Sequence, residues 1–128
     1  MDRKNRLPLV YSCSGCSNVA QISNAIAVRL DREGLAEMSC IVGVGGDVEP
    51  LVRLSRSGRE IIAIDGCPLQ CVKSCLARHG VAPSRHFILT RMGMEKRGHT
   101  DYDATSIEKA YEQVVSVFSK RQREVMKS

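Results

Sequence analysis

The sequence predicts an α/β domain built on a parallel sheet, and three observations carry that prediction. Four short apolar runs alternate with segments of helical periodicity. The connections between runs are too long for hairpins, which leaves parallel strands joined by helical crossovers. The runs themselves are apolar on consecutive residues, as strands covered on both faces are. With 128 residues, 43% of them hydrophobic and 26% charged, the chain can bury one modest core.

The elements follow in order. Leu7 to Ser12 is the first strand, ending in the small-residue turn Cys13-Ser14-Gly15-Cys16. A helix begins at Ser17, which can cap it. Val19, Ile22, Ile26 and Leu30 mark its inner face, and Gly34 can close it. Met38 to Val42 is the second strand, with Cys40 inside it, and it breaks at Gly43-Val44-Gly45-Gly46. Asp47 then reads as the cap of a helix over about 48–57, with Leu51 and Leu54 inward. Glu60 to Ile64 is the third strand. Asp65 and Gly66 form a tight turn, and Pro68 suits the first position of a helix over about 68–78, which makes Cys67 its cap. His86 to Thr90 is the fourth strand. After a charged loop from Arg91 to Tyr102, Thr105-Ser106-Ile107-Glu108 has capping-box spacing for a last helix striped by Ile107, Tyr111, Val114 and Phe118.

These elements make one three-layer αβα domain over residues 1–128, with a mainly parallel four-stranded sheet, an expected order of 2-1-3-4 and a Rossmann-like winding. Ligand sites in such sheets lie beyond the carboxyl ends of the strands, where the winding reverses. Here that point falls between strands one and three. Their ends carry Cys13–Cys16 and Asp65–Cys67, residues about fifty positions apart in the chain.

Charge excludes some functions. The net charge of +5 resides in two short basic tails: residues 1–6 hold a surplus of two positive charges and residues 119–128 a surplus of three, leaving a neutral body. Basic ends on a neutral domain, with 4% aromatics and no Trp, argue against nucleic-acid binding. No apolar run approaches the roughly 20 residues of a membrane helix, and no signal peptide is evident, so a cytoplasmic location is expected.

In a reducing compartment, six cysteines point to metal or redox chemistry rather than a disulfide framework. Cys13-x-x-Cys16 is a chelating turn, and Cys67-x-x-x-Cys71 is a pair on one helical face. A sulfur at a helix N-terminus sits where the dipole favours thiolate, the form that both chemistries use. Cys40 either faces the site or packs as a small hydrophobe. Cys75 lies two turns beyond Cys67, too far for one metal to hold both, and reads as core or a partner thiol. His79 reads as a helix-ending residue that could extend the site. Asp65 either holds the turn or orients a thiolate from behind. Glycines 43, 45 and 46 read as a tight turn or an anion-binding nest.

Cys13-Ser14-Gly15-Cys16-Ser17-Asn18, Gly43-Val44-Gly45-Gly46-Asp47 and Ile64-Asp65-Gly66-Cys67-Pro68-Leu69-Gln70-Cys71 together resemble the DGC-domain family, small prokaryotic proteins described as zinc-binding. The resemblance spans about residues 9–95. It implies several chelating cysteines and a zinc ion. Cys13, Cys40, Cys67 and Cys71 match the family's more regular cysteine positions. Cys16 matches a position that is often a small residue, and Cys75 is an addition.

The expectation is therefore a zinc-binding protein, with Cys13, Cys67, Cys71 and either Cys16 or Cys40 as ligands, Asp65 behind them, and a role in metal handling or sensing. Two alternatives stay open: a thiol–disulfide redox enzyme using Cys13 and Cys16 with Cys67, and an iron–sulfur site. Metal hydrolysis has the least support, since only Asp65 and Asp47 could serve as base.

Overall fold

A computed structural model describes residues 7–127, with side chains described through residue 118. Of the two basic tails, residues 1–6 and the side chains of 119–128 lie outside what is described. The order of elements is β1 (Leu9–Ser12), α1 (Asn18–Arg32), β2 (Glu37–Met38), α2 (Ile41–Gly45), α3 (Glu49–Ser55), β3 (Ile61–Asp65), α4 (Cys71–Ala77), β4 (Arg85–Ile88), a 3₁₀ turn (Leu89–Met92) and α5 (Ala104–Lys127). The four strands form one all-parallel sheet in the order β2-β1-β3-β4, the winding the sequence predicts. No helix among the described residues is long and apolar enough to cross a membrane.

The apolar runs become strands because both faces of the sheet are covered. All four residues of β1 and all five of β3 are buried. Val10, Ile62 and Ile64 point to one face, where they pack with Ile22, Ile26 and Leu30 of α1 and with Tyr111, Val114 and Phe118 of α5. Leu9, Tyr11, Ile61 and Ala63 point to the other, against Val44, Val72 and Leu76 from α2 and α4. Successive side chains thus enter two separate cores, which is why the runs are apolar without alternation.

Several local expectations are corrected. The second strand is only two residues long, and Cys40 is not inside it. Cys40 caps α2, its sulfur accepting the Gly43 N–H at 3.4 Å. The glycine-rich stretch is therefore a helix rather than a turn or nest. Its glycines serve helix packing: a Cβ on Gly43 would stand 2.0 Å from Leu51 Cδ1, and one on Gly45 would stand 3.0 Å from Cys75 Sγ. Asp47 does not cap α3. Val48 holds that position, and Asp47 sits in the left-handed region at φ 63° with its carboxylate turned to α4. The cap of α5 is Asp103 rather than Thr105, its Oδ1 accepting the Ser106 N–H at 2.7 Å. Ser17 caps α1 as expected, its hydroxyl oxygen accepting the Ala20 N–H at 3.1 Å.

A candidate thiol site at the switch point

The ends of β1 and β3 are held together by the continuing ladder. The Cys13 N–H donates to the Ile64 carbonyl at 3.1 Å, which sets Cys13 beside Asp65 and Gly66. The Gly66 N–H in turn donates to Cys13 Sγ at 3.2 Å. Gly66 is required here by close approach. A Cβ at this position would stand 2.8 Å from the Val19 carbonyl carbon and 2.9 Å from its oxygen, in the first turn of α1. The two turns that carry cysteines are thus pressed against the same helix start.

The helix after Cys67 begins later than its proline suggests. Residues 67–70 form a turn closed by the Gln70 N–H on the Cys67 carbonyl at 3.1 Å, and Gln70 occupies the left-handed region at φ 52°. Cys67 is therefore not the cap, and the thiol in the first helical position is Cys71. Pro68 fixes the turn instead of opening the helix.

Gln70 supplies no side-chain cap to α4. Asp65 does that from the strand. Its Oδ1 accepts the Val72 N–H at 2.8 Å, its Oδ2 lies 3.4 Å from the Lys73 N–H, and His86 Nε2 stands 2.7 Å from Oδ2. Asp65 is 1% exposed, so its charge is compensated almost wholly by these three donors. His86 was missed in the sequence because a lone histidine at the start of an edge strand carries no spacing signal. Its reach to Asp65 arises only from β3–β4 pairing, which sets His86 opposite Ala63, two residues before Asp65 on the same face of the strand.

The six cysteines are all free, and they differ in exposure. Cys13 is half-buried, and burial first of all pushes its thiol above the ordinary value, with Asp65 and Cys71 adding to the rise and Ser23 and the Gly66 N–H opposing it. Cys75 is shifted the same way, chiefly by burial and then by Cys71 and Asp65. Cys13 and Cys75 thus each lie within electrostatic reach of Cys71 and Asp65. Cys67 is half-buried, with the Lys96 ammonium 3.4 Å from its sulfur. Cys16, Cys40 and Cys71 are exposed. His79 follows the far end of α4, with Nε2 2.8 Å from the Val44 carbonyl and 3.1 Å from Asp47. It braces α2 and lies away from Cys67 and Cys71. The structure brings the two turns together, but among the described residues no group of three His, Cys, Asp or Glu side chains is placed to hold a metal ion.

A strap crosses both cysteine turns. Arg97 and Asn18 exchange backbone and side-chain bonds, the Asn18 N–H donating to the Arg97 carbonyl at 3.1 Å and the Arg97 N–H to Asn18 Oδ1 at 2.7 Å. The His99 N–H donates to the Cys16 carbonyl at 2.9 Å, while Lys96 reaches Cys67. This charged stretch has no periodicity, so its role was invisible before folding.

Comparison with known proteins adds to this geometry. The family described as "DGC domain" matches residues 9–114. A protein of Pseudomonas aeruginosa (strain PAO1) named "Anaerobic and virulence modulator AnvM" is 62% identical over 105 residues, which covers 82% of this chain and 80% of that protein. No solved structure matches.

Proposed function

The chain belongs to the DGC-domain family, and from that premise we propose that it is a regulatory protein whose switch-point thiols take up zinc. The observation that supports this most is the convergence of two cysteine turns on one helix start, joined by the Gly66 N–H on Cys13 Sγ, with every thiol free. Thiolate donors suit zinc by type. Their present placement does not form a coordination group, so uptake would begin with side-chain rotation in the 67–71 turn. The ligands proposed are Cys13, Cys67 and Cys71, with Cys16 or Cys40 as the fourth. The name of the Pseudomonas relative, a modulator, accords with a regulatory role. Free thiols accord with a reducing cytoplasm.

The test is anaerobic purification followed by metal analysis and thiol titration with and without chelator. About one zinc per chain, with roughly four thiols released on chelation, is the expected outcome. A folded protein that takes up no metal and shows all thiols equally reactive refutes the reading. Iron with a brown colour would replace zinc by an iron–sulfur site.

One contact favours a second reading, a thiol–disulfide switch: the lysine ammonium beside Cys67 Sγ is the kind of partner that reactive thiols have. Burial makes Cys13 the poorer attacking group. Cys67 would then attack a disulfide of an oxidised partner, Cys13 or Cys16 would resolve the mixed disulfide, and the partner would leave as a dithiol that has taken up the two electrons and two protons. A reversible two-electron disulfide formed in the protein as purified, before any metal is removed, would support this reading over zinc uptake, since zinc-bound thiolates form none until the metal is taken away.

A further inference from the structure

A cavity of about 270 Å³ lies under the strap, lined by none of the cysteines, between the start of α1 and the first turns of α5. Its floor is apolar: Ile22 is buried, and Met92 and Met94 are half-buried beside it. Its rim carries both signs of charge, and most of those charges are already engaged. Glu95 pairs with Arg97 at 3.4 Å, and the Asp103 carboxylate caps α5. Two rim groups remain. Asp101 and Lys109 make no hydrogen bond or ion pair among the described residues, although the Lys109 charge is felt at the Asp103 carboxyl.

One carboxylate and one ammonium above an apolar floor define a narrow class of ligand. It must carry an ammonium for Asp101, a carboxylate for Lys109 and a short uncharged side chain for the methionines. The volume lies just under the roughly 300–1,000 Å³ of ordinary small-molecule sites, which suits an amino acid rather than a nucleotide. A nucleotide would also set its phosphates against Glu95, Asp101 and Asp103. We propose that this groove binds a small apolar amino acid, and that its occupancy is felt at Cys67 through the strap. The connection is short, since the groove is lined by Glu95 and Arg97 and the residue between them, Lys96, donates to Cys67 Sγ. The proposal goes beyond the thiol chemistry and does not depend on whether the thiols take zinc or form a disulfide.

Calorimetric titration of the full chain with L-leucine, L-methionine and L-phenylalanine tests it, with L-leucinamide and 4-methylpentanoate as controls that each lack one charge. At least one amino acid binds, and each control is about tenfold weaker, the loss of one charge-assisted contact. Lys109→Gln removes the preference for the acid over the amide, and Asp101→Asn removes the preference for the amine. Both side chains are exposed, so the fold is kept. At saturation the alkylation rate of Cys67 changes severalfold while that of Cys40 does not. No binding of any of the three up to roughly 10 mM overturns the site. Unchanged affinity in both variants does the same, and an unchanged Cys67 rate overturns the link to the thiol turn.

Discussion

His86 Nε2 stands 2.7 Å from Asp65 Oδ2, and the same carboxylate accepts the Val72 N–H at 2.8 Å. A residue on the edge strand therefore helps fix the start of the helix that bears Cys71. The contact runs strand to strand to helix, so the orientation of the thiol turn depends on a side chain 15 positions beyond it in the chain.

Removing either end of this relay should be costly to unequal degrees. Asp65→Leu leaves the buried Val72 N–H, the part-buried Lys73 N–H and the His86 ring without an acceptor, and should lower stability by about 3 kcal/mol. His86→Leu removes one donor from a buried charge and should cost about 1–2 kcal/mol. His86→Gln, which retains an amide donor, should recover most of that loss. Urea denaturation checks all three, and a His86→Leu variant as stable as the parent would contradict the relay.

Gly66→Ala should be the more damaging alanine substitution of the two glycines, Gly15 and Gly66, in the turns that follow β1 and β3. Its methyl group would meet the Val19 carbonyl of α1, backbone that cannot swing aside. Overpacking of this kind costs roughly 1–3 kcal/mol, and here it would also pull the Gly66 N–H from Cys13 Sγ. Gly98→Ala is the control, because nothing lies within 4 Å of the point its methyl group would occupy. Thermal unfolding should separate the two variants clearly.

The thiols should titrate apart. Burial raises the Cys13 thiol above its ordinary value of 9.0, and Cys75 follows it. A thiol raised on folding contributes stability that is fully present below the unfolded value and is lost as pH climbs through the folded one. Cysteine-resolved alkylation across pH 7–11 should therefore place the Cys13 and Cys75 midpoints above about 9. A Cys13 midpoint at or below the ordinary value would show that its burial is relieved in solution.

On the acid side the Asp47–Arg78 pair sets the sign. Arg78 holds the Asp47 carboxyl below its ordinary value of 3.8, first through its hydrogen bonds and then through its charge, with His79 adding to the effect. A depressed carboxylate contributes stability that is present above the unfolded value and is lost as pH falls through the folded one. Asp47→Asn should thus be less stable than the parent at neutral pH, and the two should converge below about pH 3. The contribution is small because both partners are largely exposed. A gap that persists at pH 2 would point to the φ of 63° at residue 47 rather than to charge.

The sequence by itself determined the sheet, its parallel winding and the meeting of the two cysteine turns. Unbroken apolar runs such as Ile61–Ile64 can be satisfied only between two layers of helices, and that requirement leaves few topologies. It also determined the cap at Ser17, which uses only neighbouring atoms. Tertiary structure decided what depends on approach between distant segments. Cys40 left its strand because Gly43 and Gly45 let a short helix pack against Leu51 and Cys75. Cys67 lost the helix start to Cys71 because a buried carboxylate from β3 captured the Val72 N–H, three residues later than a proline-led start would bring it. His86 and Lys96 entered the thiol site through strand pairing and a loop without periodicity, neither of which leaves a mark on local sequence.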